Sequence, residues 1–172
     1  MTMRPGSAAL VLLGLVAGCS SAPPTRVDVI RPTPPPGPGP APAIEGPAAA
    51  NVVWALRGGL NVAALLCKDQ IITAGYNRML KVHRSLLDDV YAAEQARYRQ
   101  QFGSAGIARH DVAMTRLYNG FASVPDRRRF CTAATRILDE VLAAGSADVP
   151  RMATRALTTL EPGAMRLVNS AG

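Results

Sequence analysis

Residues 51–67 read NVVWALRGGLNVAALLC, and this stretch decides the fold that the sequence predicts. Its apolar residues recur at the three- and four-residue spacing of an α-helix, so five of them share one face. These are Val53, Leu56, Leu60, Ala63 and Cys67. The Gly58-Gly59 pair within the helix costs roughly 1 kcal/mol per glycine relative to alanine. It therefore indicates either a kink or a neighbouring element that packs closely at this point.

Two further helices are predicted downstream, where strand signals are nearly absent. Residues 69–102 predict one long helix, which ends where Gly103 and Gly106 interrupt the pattern. Its apolar stripe consists of Tyr76, Leu80, His83, Leu87, Val90, Tyr91, Tyr98 and Phe102. Three acidic residues of this helix are expected on its solvated face, namely Asp88, Asp89 and Glu94. Residues 107–122 predict the next helix, which aligns Ile107, Met114, Leu117, Tyr118 and Phe121.

The C-terminal part of the chain contains two more helix starts. Ser123 is expected to cap a helix that ends at Gly145, and Asp148 begins a last helix that stops before Pro162. Their buried faces are predicted to be Phe130, Ala134, Ile137, Leu138 and Val141, then Met152, Ala156, Leu157 and Leu160. Five amphipathic segments with short links predict an all-α bundle of about four to five helices over residues 49–161. Residues 162–172 are predicted to form a loose tail.

Residues 19–48 have a different composition, which includes the stretch VIRPTPPPGPGPAPAIEGP. Such a segment cannot bury enough apolar surface to offset the entropy lost on ordering, so it is predicted to be disordered. Proline-rich chains favour extended polyproline II at about 3.1 Å per residue, which allows a reach of tens of ångströms. A semi-rigid spacer is the favoured interpretation, and a PxxP-type ligand for a partner domain is the alternative.

Residues 1–18 have the organisation of an export signal. Arg4 supplies a positive charge ahead of the apolar run AALVLLGLV at residues 8–16, and small residues follow. This run has the length of a signal-peptide core, about 7–15 residues, and is shorter than the roughly 20 residues that span a membrane. The sequence therefore predicts a cleaved signal peptide.

The end of that segment, Val16-Ala17-Gly18-Cys19, resembles the lipobox of bacterial lipoproteins. The resemblance implies cleavage before Cys19, which would carry diacylglycerol on its sulfur and an acyl group such as palmitate on its nitrogen. Several acyl chains, at about 0.8 kcal/mol per buried methylene, anchor a protein without a membrane span. Ser20 after the cysteine implies transfer to the outer membrane, with the domain facing the periplasm. The alternative is an ordinary signal peptide that happens to end near a cysteine.

Lipidation of Cys19 would leave Cys67 and Cys131 as the remaining cysteines. In an exported protein such an even pair predicts a disulfide, here closing a loop of more than 60 residues. The chain-entropy model gives roughly 4 kcal/mol of stabilisation for a loop of that length. No CxxC, HxxxH or CxxCH motif accompanies the pair, so neither a metal site nor a haem or other cofactor is predicted.

The two histidines, His83 and His110, both lie on predicted apolar helix faces, which favours packing roles. The functional alternative is that His110-Asp111 resembles the histidine–aspartate pair of secreted phospholipases A2, which implies that His110 activates water and Asp111 helps to bind calcium. The cysteine just upstream of that family's histidine is missing, and no clear glycine-rich calcium loop precedes the pair. GxSxG, P-loop and HExxH motifs are absent. No catalytic residue is therefore predicted, and His110 and Asp111 are the weak candidates.

The chain is basic, with a net charge of +7 that falls to +6 without Arg4. A basic surface attracts anionic lipids, acidic polysaccharides or nucleic acid. Nucleic acid is not predicted as a partner, because the chain is predicted to be exported and lacks interleaved basic and aromatic residues. The one basic run is Arg127-Arg128-Arg129. A solvated helix end is its ordinary interpretation, and a patch for an anionic envelope component is the functional one.

These observations predict a lipid-anchored envelope protein with a helical binding or scaffolding module, for which a non-enzymatic role is favoured. Its expected partners are the membrane, through the N-terminal lipid, and either an envelope protein or an anionic envelope component. The segment GGLNVAALLC, residues 58–67, resembles small helical exported proteins of proteobacteria, a likeness that implies no activity. The alternative function is an envelope hydrolase that uses the His110-Asp111 pair.

Overall fold

The structure is a computed structural model that describes residues 47–170. The predictions for residues 1–46, which include the signal peptide, Cys19 and nearly all of the spacer, lie outside these residues. The described part contains seven α-helices, one short 3-10 helix and no strand. The elements are α1 (Pro47–Leu66), α2 (Gln70–Val82), α3 (Arg84–Phe102), a 3-10 helix (Gly103–Ala105), α4 (Gly106–Ala122), α5 (Arg127–Ala143), α6 (Val149–Leu160) and α7 (Ala164–Ser170). The predicted all-α bundle is confirmed.

Helix α1 lies at the centre of the bundle and packs against all six of the other α-helices. Its predicted inward face is confirmed, because Val53, Leu56, Leu60 and Ala63 are all buried. By length and composition alone, residues 49–66 are apolar enough to cross a membrane, with a mean hydropathy of 1.3. A central core helix has the same composition, and 56% of this stretch is buried inside the protein. The apolarity of α1 is therefore accounted for by its place in the bundle.

The glycine pair of α1 marks a close approach between helices, which was one of its two predicted meanings. A Cβ atom on Gly59 would lie 2.6 Å from Leu160 Cδ2 and 3.0 Å from Phe121 Cζ. A Cβ atom on Gly58 would lie 3.0 Å from a ring carbon of Tyr118. Both glycines lie within the continuous helix α1. The missing side chains thus let α4 and α6 pack against α1.

The long helix predicted over residues 69–102 is divided at His83 into α2 and α3. His83 is 2% exposed, and its two ring nitrogens are each 2.9 Å from a partner, Ser146 Oγ and the Val141 carbonyl oxygen. Helix α2 packs mainly against α5, whereas α3 packs mainly against α1 and α4. The division therefore lets α2 and α3 pack against different helices. It also raises the number of helices above the predicted four to five.

Two other predicted boundaries differ from the structure. Asp126, not Ser123, caps α5, and its Oδ1 accepts a hydrogen bond from the Arg129 backbone N–H at 2.9 Å. Ser123 instead ends α4, donating its own backbone N–H to Asn119. In place of a loose tail after Pro162, the structure has helix α7, whose Ala164 and Val168 are buried against the bundle.

The predicted disulfide between Cys67 and Cys131 is present, with a Cα–Cα distance of 5.8 Å. It joins the turn that follows α1 to the second turn of α5 and spans 64 residues of sequence. Both cysteines are partly buried and pack against the core. The bond therefore ties the central helix to α5, the helix that carries the arginine run.

Candidate functional site

The arginine run forms the first turn of α5, where Asp126 caps the helix. Arg127, Arg128 and Arg129 are all exposed. Within the described residues, none of these three guanidinium groups lies within 4 Å of a carboxylate. The positive end of the α5 dipole adds to their charge. The start of α5 therefore concentrates positive charge, which the carboxylate of Asp126 offsets only in part.

A groove runs from this helix start along α5 and beside α6, with a volume of about 400 Å³. Arg128, Thr132 and Arg136 follow one another at four-residue spacing, which places them on one face of α5. Thr159 of α6 forms part of the opposite wall. The complete lining is Asp126, Arg128, Arg129, Thr132, Ala133, Arg136 and Thr159. This set of residues is called the α5–α6 groove.

The side chains of the α5–α6 groove suit a polar anion. Each guanidinium offers a planar fork of N–H donors that matches a carboxylate or a phosphate, and the threonine hydroxyls can donate or accept. Arg136 Nε lies 3.9 Å from Glu140 Oε1, and Arg155 approaches the other oxygen of Glu140 at 3.5 Å. Such exposed pairs contribute only about 0–1 kcal/mol. Arg136 can therefore turn toward a ligand at small cost.

The sequence identified only part of this site. The run Arg127-Arg128-Arg129 was visible as a cluster of charge, but Thr132, Arg136 and Thr159 were not singled out. The four-residue spacing from Arg128 to Arg136 was a signal that could have found two of them. Thr159 has no such signal, because its place in the groove depends on how α6 packs against α5.

The structure places His110 and Asp111 in different environments. His110 is 6% exposed, and its ring packs edge-on against Tyr98 and Tyr91, at centroid distances of 5.2 and 6.1 Å. Its Nε2 is buried and has no hydrogen-bond partner among residues 47–170, whereas the Asp111 side chain is 74% exposed. The His110 Nδ1 and Asp111 Oδ1 atoms are 3.7 Å apart, beyond hydrogen-bond distance. The pair is thus not aligned for proton transfer in an open cleft.

His83 has a structural role, as its position on the apolar stripe indicated. Its Nε2 must donate to the Val141 carbonyl oxygen, which can only accept, and its Nδ1 shares a hydrogen bond with the Ser146 hydroxyl, which can donate or accept. Both ring nitrogens are therefore satisfied within the protein. No group of three or more His, Cys, Asp or Glu side chains among residues 47–170 is arranged to hold a metal ion.

Comparison with known proteins gives no relative on which to base a function: no family model, no curated protein and no solved structure matches this chain.

Proposed function

We propose that this protein is a lipid-anchored component of the cell envelope, whose helical domain binds an anionic envelope component through the α5–α6 groove and catalyses no reaction. The observation that carries the proposal is the group of three arginines at the start of α5 that form no ion pair within residues 47–170. Arg136, which is only weakly paired with Glu140, extends this group along the same helix face. Like charges held close together repel one another, and an anion bound between them would relieve that repulsion.

The anchor is proposed from the VAGC sequence that ends at Cys19 and from the proline-rich chain after it. Acylation at Cys19 would attach the chain to a membrane, and transfer to the outer membrane would place the domain in the periplasm. The spacer would let the domain reach envelope components away from its point of attachment. The Cys67–Cys131 disulfide supports export, since such bonds persist in oxidising compartments.

The envelope hydrolase alternative has less support. A general base must come within hydrogen-bond reach of the proton that it removes. The His110 ring is instead packed against tyrosine rings, and among the described residues the only carboxylate within 4 Å of it is that of the exposed Asp111. A non-catalytic binding module therefore agrees better with the positions of these side chains.

The anchor is tested with the substitution Cys19→Ala, which removes the acceptor for the lipid. We expect the variant to leave the membrane fraction and appear in the soluble fraction, and the unaltered protein to incorporate labelled palmitate. The matched substitution Ser21→Ala should leave membrane attachment unchanged. Continued sedimentation of the Cys19→Ala variant with membranes would refute the lipid anchor.

Binding is tested with the soluble Cys19→Ala chain, using immobilised lipopolysaccharide and peptidoglycan from the same envelope as probes. The additional double substitution Arg128→Gln/Arg136→Gln should weaken retention at least tenfold, and salt should weaken binding of the parent chain. The control is the double substitution Arg78→Gln/Arg116→Gln, which also removes two positive charges. These exposed arginines of α2 and α4 form no ion pair within residues 47–170. Equal losses in both variants would show general charge attraction and would contradict a specific groove.

A further inference from the structure

A second groove lies among α1, α2 and α3 and differs in chemistry from the α5–α6 groove. It has a volume of about 360 Å³. Its apolar lining comes from Trp54, Leu80, Leu87 and Tyr91, and its charged lining from Arg57, Lys81, Arg84 and Asp88. This set of residues is called the α1–α3 groove. It combines an apolar wall with three cations and one carboxylate, whereas the α5–α6 groove has a single apolar residue.

Arg57 is the one charged residue of α1 and is only partly exposed. Its guanidinium carbon lies 4.8 Å from the centre of the Trp54 ring, and its Nη1 donates to the Tyr118 hydroxyl at 2.8 Å. No carboxylate of residues 47–170 comes within 4 Å of it. A partly desolvated cation without a counter-charge is unfavourable, so an anion that enters the groove from outside would stabilise Arg57.

The aromatic side chains around Arg57 hold it in place. Trp54 stacks on Tyr91 with ring centroids 5.0 Å apart, and the indole N–H of Trp54 points at Met114 Sδ, 3.2 Å away. These contacts tie α1 to α3 and α4 at the position of the groove. A guanidinium that is fixed before binding loses less conformational entropy when it meets a ligand.

The rest of the rim is also positively charged. Arg84 is paired with Asp88 at 3.7 Å, but both side chains are largely exposed, so the pair contributes little. Lys81 is exposed and has no ion pair within the described part of the chain. Leu80 and Leu87 provide apolar surface between these cations. The groove therefore complements a molecule that carries a negative group beside an apolar body.

We propose that the α1–α3 groove binds an anionic membrane lipid, with the phosphate of its head group at Arg57 and Lys81 and its apolar part against Leu80, Leu87 and Tyr91. Charge complementarity selects an anion, and the apolar wall selects an amphiphile over a free anion. A volume of about 360 Å³ lies near the lower end of the usual range for small-molecule sites, about 300–1,000 Å³, which suits the head-group region of one lipid. This site is separate from the groove on which the proposed function rests.

The test uses the fact that Trp54 is the single tryptophan of the chain, so its fluorescence reports on this groove alone. The soluble Cys19→Ala chain is titrated with dihexanoyl phosphatidylglycerol below its micelle concentration, with dihexanoyl phosphatidylcholine, and with inorganic phosphate. We expect a saturable change with the anionic lipid and at least tenfold weaker binding of the other two. Equal responses to both lipids, or to phosphate alone, would overturn the proposal, as would no response at all.

Substitutions then locate the site by calorimetry with the same anionic lipid. Arg57→Gln and Lys81→Gln should each weaken binding at least fivefold. Lys81 is exposed, so its variant stays informative if the Arg57→Gln variant is poorly folded. Arg128→Gln in the α5–α6 groove should leave lipid affinity unchanged. If lipid binding fails while lipopolysaccharide or peptidoglycan binding through Arg128 persists, the lipid site is wrong and the proposed function stands. If lipid binding persists while binding of those envelope components fails, the proposed function is wrong and the lipid site stands.

Discussion

Tyr76 of α2 shows how one buried atom affects stability. The residue is 5% exposed, and its hydroxyl has no hydrogen-bond partner in the part of the chain that the structure describes. Burial raises the pKa of the Tyr76 phenol above its usual value near 10, and the charge of Arg57 opposes part of that rise. The folded protein thus holds this proton more tightly than the unfolded chain does. The resulting stability is complete below about pH 10 and is lost as the pH rises through the raised pKa.

The substitution Tyr76→Phe should therefore be tolerated at neutral pH and should protect against alkali. Removing a buried hydroxyl without a partner should raise the free energy of unfolding at pH 7 by about 1 kcal/mol. Above pH 10 the unaltered protein should lose stability more steeply than the variant. Urea unfolding at several pH values measures both effects.

The matched control for this change is Tyr118→Phe, which removes a hydroxyl that does have a partner. It should lower stability by about 0.5–1.5 kcal/mol, because the Arg57 guanidinium loses its acceptor. If Tyr76→Phe destabilises the protein at pH 7 as much as Tyr118→Phe does, the phenol of Tyr76 has a partner in solution.

Glu94 is one residue whose predicted exposure to solvent was wrong. It was expected on the solvated face of a long helix with Asp88 and Asp89, which are indeed exposed. Glu94 is instead 1% exposed and pairs with Arg97, one turn later, at 3.0 Å. Helical periodicity cannot locate a buried charge, because the pattern records the polarity of a residue and not the partner that offsets its desolvation.

Ile107 of α4 shows the opposite error, because it was predicted to be buried and is exposed. It was assigned to the apolar stripe but is 54% exposed, while His110, one turn later, is buried. The ring of His110 packs against the tyrosines of α3, which a reading of α4 alone does not reveal. Which of two adjoining faces is buried depends on the neighbouring helix.

At the level of elements, the packing of α4 and α6 against α1 depends on the glycines at positions 58 and 59, which have no side chain. Gly59→Ala would gain roughly 1 kcal/mol of helix propensity. Its methyl group, however, would lie 2.6 Å from Leu160 Cδ2 and 3.0 Å from Phe121 Cζ. Both neighbours are fully buried and cannot move away freely. Overpacking of this kind costs about 1–3 kcal/mol, so we expect net destabilisation.

Thermal or urea unfolding of Gly59→Ala measures this cost, with Gly75→Ala of α2 as the control. The nearest atom to a Cβ on Gly75 is Leu138 Cδ1 at 3.3 Å, so a small adjustment suffices there. The control should gain the same helix propensity with little packing cost, so its free energy of unfolding should be unchanged or higher by up to roughly 1 kcal/mol. A Gly59→Ala variant that is more stable than the unaltered protein would contradict the tight packing of α1.

Helices α5 and α2–α3 differ in how far the sequence predicted them. The predicted inward face of α5 is buried at every position, because its period is regular and its neighbours lie along one stripe. The break at His83 was not predicted, since its hydrogen-bond partners Val141 and Ser146 lie 58 and 63 residues away in the chain. A boundary that depends on distant partners leaves no local signal.

At the level of the whole molecule, the Cys67–Cys131 disulfide joins two parts of the bundle that lie 64 residues apart in the sequence. For a separation of 64 residues the chain-entropy model gives about 4 kcal/mol, and measured values for disulfides are typically 2–4 kcal/mol. The double substitution Cys67→Ala/Cys131→Ala should therefore lower the free energy of unfolding by about 2–4 kcal/mol.

Urea unfolding with and without a thiol reductant measures this contribution. Reduction should destabilise the unaltered protein by a similar amount and should leave the double variant unchanged, which is the internal control. An unaltered protein that is insensitive to complete reduction would show that the bundle is held by its core alone.

The sequence by itself determined the helical class, the inward faces of α1 and α5, the cysteine pair and the arginine run, because periodicity, composition and spacing are local properties of the chain. Only the tertiary structure decided that α4 and α6 pack onto the glycines of α1, that α7 folds onto the bundle, and that Arg136 and Thr159 join the arginines in one groove. The same holds for the α1–α3 groove, whose residues come from three helices. Such arrangements depend on side chains that are distant in sequence and meet only when the helices pack.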